Sequence, residues 1–519
     1  MTPGAARRVL VAVGIALVVT IAVLGRIGVV AGEPVGAADN ADGVRLFCTA
    51  RLAPDATDGR ASGHGIVVDA FRTGGPECRL PAPVTSGGVI LRATVALTAG
   101  DAFDLSRLAT AYAALLGLGA GVAAWAAGRR PGPAVAVVVP PLLPLLVVPW
   151  WSRFLVSTYA EPAGLLGAAW CVWGLLVVAL TRPVDRSARL AAIGLVAVGG
   201  VVAATAKPGF MPVGVAAVAA VALVTVGTGR RWWWRRGPAQ VAAALAVGIA
   251  ASPVLAGIRY QDALYEVPNT HDLVFTAILP ESGPAPLPAL GLPAAAFRAS
   301  GEHYYLYEGR DVRGWDETPG PRTLELRSAA RRYVAEHPVL LARMVHRGLV
   351  ITVRPQIPYL VSTTAGDRTV DGSLPVPEVP EAAQRMGVTF AYLDRLPGRP
   401  VPPLVLAVAL LGAASTVLFP RATRRLGAGR GLLRVAGVLA VGALGTVVLA
   451  VLGDGYVELA KHVWLASYLL VVTGTLLIAA VVAAGLAAVR RRARGSGTSE
   501  DRTAGSRPTV SDPCAFVEP

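Results

Sequence analysis

Between residues 39 and 45 the chain reads Asp39-Asn40-Ala41-Asp42-Gly43-Val44-Arg45, just beyond its first long apolar run. Two carboxylates, an amide and an arginine in one short turn are the groups a general base and its partner require. One carboxylate takes a proton from a hydroxyl while the other orients it or holds a divalent cation, and either Asp39 or Asp42 fits either part. Taken alone, such a run is also what a solvated surface turn looks like. Three other short connections carry comparable groups. Ser157-Thr158-Tyr159-Ala160-Glu161 brings a carboxylate to the start of an apolar helix, where the helix dipole favours it and where it also serves as an ordinary cap. Thr205-Ala206-Lys207-Pro208 is a tight re-entry between two apolar runs, and Gly453-Asp454-Gly455-Tyr456-Val457-Glu458-Leu459-Ala460-Lys461-His462 lies at the mouth of the last one.

Lysine usage sharpens the pattern. Of 48 basic residues only Lys207 and Lys461 are lysines, and both fall in these connections. A compact ammonium binds phosphate as a point charge. Snorkelling along a membrane interface, the competing role, is served equally well by arginine. Lys207, Lys461, His462 and Arg45 are therefore candidate phosphate contacts, and Glu161, Tyr159, Asp454 and Glu458 candidate acceptor or supporting contacts.

The elements that must position these groups are read from hydropathy. The chain of 519 residues is 54% apolar and 16% charged, and its mean hydropathy is +0.56. Long uncharged apolar runs predict an all-α polytopic membrane protein. The runs are 9–25, extending to about 32, then 107–127, 133–150, 162–181, 189–206, 209–227, 238–258, 401–419, 431–452 and 464–488, about ten spans. The first also resembles a cleaved signal peptide but exceeds the usual length of one. Pro140, Pro141, Pro144 and Pro149 should kink or break the third. The organisation predicted is an N-terminal membrane module over 1–258 with an outer loop at 33–105, and an outer segment over 259–400. A C-terminal membrane module over 401–489 and a disordered tail over 490–519 follow.

Alternate connections carry Arg129 and Arg130, Arg182 and Arg186, Arg230, Arg231, Arg235 and Arg236, Arg421, Arg424 and Arg425, and Arg490 to Arg492. The positive-inside rule puts these and both termini in the cytoplasm. Of the 33 acids only Asp185, Glu500, Asp501, Asp512 and Glu518 fall on that side. The net charge of +15 is thus a topology signal, and nucleic acid is not an expected partner; the lipid bilayer is. In the outer loop, 65–71 and 89–97 read as short strands. Cys48 and Cys78 can pair there, worth roughly 3–4 kcal/mol by loop entropy, with two free thiols as the alternative. In the outer segment, 323–348 reads as a surface helix pair broken near Pro338. His303, Tyr304, Tyr305, Tyr307, Arg310 and Trp315 form a polar-aromatic cluster of the kind that contacts sugars.

Carboxylates and phosphate-binding cations at an outer membrane face point to a lipid-phosphate substrate. Several stretches carry a resemblance: DNADGVR at 39–45, STYAEPAGLL at 157–166, TAKPGFMP at 205–212, NTHDLVFTAILPESGPAPLPALGLP at 269–293 and GDGYVELAKH at 453–462. With about ten spans and a long outer segment, the chain resembles the GT-C class of membrane glycosyltransferases. More narrowly, it is similar to the bacterial hexose transferases of surface-layer glycan biosynthesis. Their first motif is closer to Asp-Asn-Gly-Asp-Phe; Ala41 and Gly43 depart from it while both carboxylates are kept. The resemblance implies a polyprenyl-phosphate-linked hexose as donor, a cell-surface glycan as acceptor, and Asn269 among the acceptor contacts. A divalent cation is a candidate cofactor. The main rival is a transporter or flippase of lipid-linked sugars, which should carry its ionisable groups near the bilayer midplane rather than at span ends.

Overall fold

The computed structural model describes residues 3–37, 42–54, 70–78, 82–128, 131–226, 232–304, 321–354, 357, 362–363 and 397–500. Its principal helices are α1 (Pro3–Arg26), α2 (Ser86–Ala96), α3 (Leu105–Ala127), α4 (Pro131–Val147), α5 (Glu161–Leu180), α6 (Arg186–Ala206) and α7 (Met211–Ala222). They continue with α8 (Trp232–Asp272), α9 (Pro321–Glu336), α10 (Pro338–Ile351), α11 (Val401–Leu418), α12 (Ala428–Gly453) and α13 (Trp464–Glu500). Among the described residues, 8 helices are long and apolar enough to cross a membrane, or up to 9 if the bent pair at α4 is one span. The chain is a helical, polytopic membrane protein. Leu10, Leu17, Ile249, Leu411 and Val481 are exposed on its outer helices, where lipid rather than water is the compatible solvent.

The difference from ten spans lies in α7. Lys207-Pro208 takes the chain through a 3₁₀ turn, and the helix that follows has only 12 residues before Leu223 ends it. Other boundaries also moved. Helix α1 stops at Arg26 rather than near 32, because Gly28 adopts φ 75° and Val29 N–H bonds back to Leu24 O at 3.0 Å, a glycine-type helix stop. Segment 89–97, expected as a strand, is helix α2. Thr85 caps it by accepting from Gly88 N–H at 3.1 Å. Segment 65–71 overlaps a strand at its end, and 65–69 lie outside the described residues. Helix α8, expected over 238–258, runs on to Asp272 through Pro253 and Pro268. Helix α13 continues to Glu500, through the start of the 490–519 tail where disorder was expected. Residues 501–519 lie outside the described residues, as do Arg129, Arg130, Arg230, Arg231, Tyr305, Tyr307, Arg310 and Trp315.

The proline-rich α4 is broken as expected. It meets the short helix beginning at Pro149 at 89°. Trp173 Nε1 donates to Val138 O at 3.1 Å and the Tyr468 hydroxyl to Pro141 O at 2.8 Å. These donors satisfy carbonyls in a stretch where prolines supply no N–H. Helix α5 is the hub, almost enclosed by its neighbours. It packs on α6 where Gly167 and Gly199 face each other; a Cβ on Gly199 would lie 2.7 Å from Gly167 O. Small residues let backbones approach this closely in lipid, where burial of apolar surface supplies no drive. Arg189 closes the far end of α5, donating to Thr181 O at 2.8 Å and Val178 O at 3.2 Å.

Two small sheets organise the loops. β1 (Gly36–Ala37) pairs antiparallel with β5 (Ser362–Thr363), Gly36 opposite Thr363. β2 (Leu52–Pro54), β3 (Ala70–Thr73) and β4 (Ala102–Asp104) form an antiparallel sheet in that order, with Leu52 opposite Thr73 and Phe71 opposite Phe103. Phe47 packs 5.3 Å from Phe71, and Asp104 caps α3 through Arg107 N–H at 3.2 Å. Cys48 and Cys78 form a disulfide, their Cα atoms 4.9 Å apart. The bridge fastens the turn that carries Asp42 to the sheet. Maleimide labelling of unreduced, denatured protein is expected to modify Cys171 and Cys514 alone and to gain Cys48 and Cys78 on reduction. Labelling of all four without reductant contradicts the bridge.

Candidate functional site

The groups that collect at one end of the bundle are delivered by different elements. Glu161 opens α5, Lys207 follows the last residue of α6, and Asp454 to His462 connect α12 to α13. Asp42 and Arg45 come from the turn after α1. The arginine-rich ends lie opposite: Arg189 at the end of α5, and Arg491 of α13 donating to Arg425 O at 2.6 Å.

Asp42 is the meeting point. Its carboxylate accepts hydrogen bonds from the Lys461 ammonium and from Arg45 Nη2. Lys461, with 3% of its side chain exposed, also contacts Glu458 Oε2 at 3.1 Å and lies 5.3 Å from the centre of the Tyr159 ring. Arg45 in turn donates to the Tyr265 hydroxyl and stacks over that ring at 4.6 Å. Burial alone pushes the Asp42 carboxyl up, but the Lys461 and Arg45 charges and their hydrogen bonds outweigh it and hold it well below the usual carboxylate range. Burial disfavours the Lys461 ammonium, yet Asp42, Glu458 and Glu161 together raise it above the ordinary lysine value.

Two further pairs flank this one. Lys207 Nζ is 3.3 Å from Glu161 Oε1, a carboxylate with only 2% of its side chain exposed. His462 Nε2 is 3.0 Å from Asp454 Oδ2. Burial pushes Asp454 up, but His462, Lys207 and Lys461 bring it below its ordinary value. Four carboxylates thus face three fixed cations and a histidine, and every predicted phosphate contact already has an acidic partner.

The connection 453–463 is held by a wall that sequence reading passed over. After His271-Asp272, α8 widens into one π-helical stretch, Leu273–Ile278, a distortion frequent at functional sites. The Thr276 hydroxyl donates to Asp272 O and accepts from Tyr456 N–H at 2.9 Å. Gly455, at φ 60°, presses so closely that a Cβ would collide with Asp272 O and Thr276 Oγ1. The Tyr456 hydroxyl donates to Glu281 Oε1 at 3.0 Å, and Arg347 Nε holds Glu281 at 3.2 Å. Burial, with Glu281 beside it, pushes the Tyr456 phenol above its ordinary value. His271 Nδ1 is 3.1 Å from Asp272 Oδ1, and Asp272 accepts from Tyr304 N–H at 2.7 Å. His303 is lowered by burial; Asp272 and Glu458 face it and act the other way, while His271 adds to the lowering.

The structure therefore brings together Asp42, Arg45, Tyr159, Glu161, Lys207, Asp454, Glu458, Lys461 and His462. Asp39 lies outside the described residues. Asn269 is half-buried on α8, one turn beyond Tyr265. Among the described residues no group of three or more His, Cys, Asp or Glu side chains is arranged to hold a metal ion. Tyr265 was missed because α8 was expected to end before it. His271-Asp272 left a trace only as part of the 269–293 motif.

No curated protein and no solved structure matches the chain. The family described as the YfdI N-terminal transmembrane domain matches residues 4–316, a stretch that contains Asp42, Glu161, Lys207 and the His271-Asp272 turn and stops short of the 453–463 connection. With more than half its length matched, and with the helices that carry these groups inside the matched stretch, the chain belongs to the YfdI N-terminal transmembrane domain family.

Proposed function

We propose that the protein is a membrane hexosyltransferase of GT-C type. It moves a hexose from a polyprenyl-phosphate carrier to an extracytoplasmic cell-surface glycan or lipid, with Asp42 as general base. The observation that carries this reading is the Asp42 carboxylate, held ionised between Lys461 and Arg45 at the same end of the bundle as the Glu161–Lys207 and Asp454–His462 pairs. The arginine-rich connections at the opposite end and the Cys48–Cys78 bridge support an extracytoplasmic site and cytoplasmic termini.

In the reaction, the acceptor hydroxyl gives its proton to Asp42 as its oxygen bonds to the anomeric carbon. The bond from that carbon to the phosphate oxygen breaks, and the electron pair stays on the phosphate. A carboxylate held so far below its usual range is a weak base. It accepts the proton late, after the glycosidic bond has largely opened, as oxocarbenium-like chemistry allows. Lys207 and His462 face the departing phosphate, and their charge counts for more in a site shielded from water.

Proteoliposomes given polyprenyl-phosphate glucose, galactose or mannose on the site side should transfer hexose to an added glycan acceptor. Movement of the lipid-linked sugar across the bilayer without transfer would support the transporter instead. A reporter fused after residue 130 is expected to read cytoplasmic; an extracytoplasmic reading overturns the orientation.

The pair also predicts a pH response. Asp42 is lowered in the folded protein, so the stability its pairing adds is present above about pH 4 and is lost as pH falls through the lowered value. Lys461 is raised, so its contribution is complete below about pH 10 and is lost as pH rises through the raised value. Neither group changes charge between about pH 5 and 9. Any acid limb in a pH–rate profile over that range should therefore move when His303, whose imidazole burial lowers, is replaced by Gln. A limb that this replacement does not move contradicts the assignment.

A further inference from the structure

Lys461 is clamped between two carboxylates, of which only one belongs to the proposed base. Glu458 stands three residues before it and reaches it at 3.1 Å, and its own backbone is left-handed, with φ 48° and ψ 22°. Among the described residues Arg51 is the other non-glycine in that region. The conformation costs a residue with a β-carbon energy that glycine avoids, and the same connection uses glycine for it at Gly455. At position 458 the side chain must return what the backbone loses.

Charge bookkeeping shows how. Asp42 and Glu458 bring two negative charges, Lys461 and Arg45 two positive ones. When the acceptor proton reaches Asp42, that carboxylate becomes neutral while the departing phosphate gains one negative charge. Lys461 loses one of its two anchors at the moment the new anion forms. The groups that still face it are Glu458 from its own turn, Glu161 and the Tyr159 ring from beside α5, and Asp454 from the end of α12. Of these, Glu458 accepts a hydrogen bond from the ammonium at 3.1 Å.

We propose that Glu458 is a positioning residue: it keeps the Lys461 ammonium in place while Asp42 is neutralised, so that the site's excess positive charge stays directed at the departing phosphate. The timing rests on the transferase reading, whereas the anchoring does not.

Because the chain has only two lysines, each is its own reporter in amine acylation read by mass spectrometry. Asp42→Asn imitates the neutral base. In full-length protein treated with acetic anhydride at neutral to mildly alkaline pH, Lys461 acylation is expected to rise less than about twofold in Asp42→Asn. It should rise at least about tenfold in Asp42→Asn/Glu458→Gln, with Lys207 unchanged in both. In transfer assays, Glu458→Gln and Glu458→Gly should each lower kcat about tenfold or more with donor KM within about twofold, since the interaction is made during turnover. Glycine suits the left-handed backbone, so its failure isolates the carboxylate. The proposal is overturned if Asp42→Asn alone frees Lys461 as far as the double variant does. It is also overturned if both lysines become reactive together, or if either Glu458 variant keeps wild-type kcat. Should the wild type transfer no hexose from any of the donors, the transferase reading fails, and the acylation pattern still decides whether Glu458 anchors Lys461.

Discussion

Asp42→Asn should lower hexose transfer by about 10²- to 10⁴-fold, the usual worth of a positioned general base, while the protein accumulates in the membrane at its normal level. The two halves of that expectation come from the same contacts. Asparagine keeps the shape of the side chain and can still accept from Arg45 and Lys461, and both cations retain other partners: Tyr265 for Arg45, Glu458 for Lys461. What disappears is the negative charge that takes the proton. Transfer at the wild-type rate in Asp42→Asn, with donor and acceptor saturating, would remove Asp42 from the chemistry and leave Asp39 to be tested in the same way. Loss of the protein from the membrane would instead assign Asp42 to the fold.

The second large effect is on stability. Lys461→Met leaves Asp42 and Glu458 facing each other with their shared ammonium gone. Breaking a buried pair by removing one member typically costs about 3–5 kcal/mol, because the remaining charge is stranded rather than because the pair itself was worth so much. Lys461 is almost wholly buried, but Asp42 keeps Arg45 and is 27% exposed, and Glu458 is 32% exposed, which puts the cost at the lower part of that range. The signature is a rescue. Thermal unfolding in detergent should show Lys461→Met well below wild type, and Lys461→Met/Asp42→Asn/Glu458→Gln recovering most of the loss. A triple variant no more stable than the single one would mean that packing of the lysine stem, not charge, is at stake.

Much of this arrangement was legible in the sequence because lipid makes charge conspicuous. A carboxylate or ammonium has to sit at the end of an apolar run, so Glu161, Lys207, Asp454 and Lys461 announced themselves, and alternation of arginine-rich connections put them on one face. Distance along the chain was not legible. Nothing in residues 39–45 says that Arg45 will meet Tyr265 rather than a phosphate, or that Lys461 will choose Asp42. The apolar run at 238–258 was expected to end there, yet α8 continues through Pro268 to Asp272, as membrane helices do when neighbours and local adjustments satisfy the freed carbonyls. The 89–97 run reads as a strand from its β-branched residues, although Thr85 was available as a helix cap. The widened stretch after His271-Asp272 has no local signal, since it depends on Gly455 and Tyr456 arriving from the far end of the chain.

That dependence has a consequence for biosynthesis. Strand Gly36–Ala37 waits for Ser362–Thr363 to be made, and Asp42 waits for Lys461, 419 residues later. A ribosome delivering this protein into the membrane in order leaves the early carboxylate without its principal counter-ion until the final hairpin of helices is inserted. A chain halted before residue 453 lacks Lys461 and leaves Asp42 with Arg45 as its neighbouring cation. The Asp42–Lys461 pair therefore closes only once both membrane modules have been made, and it distinguishes such a chain from one halted between them.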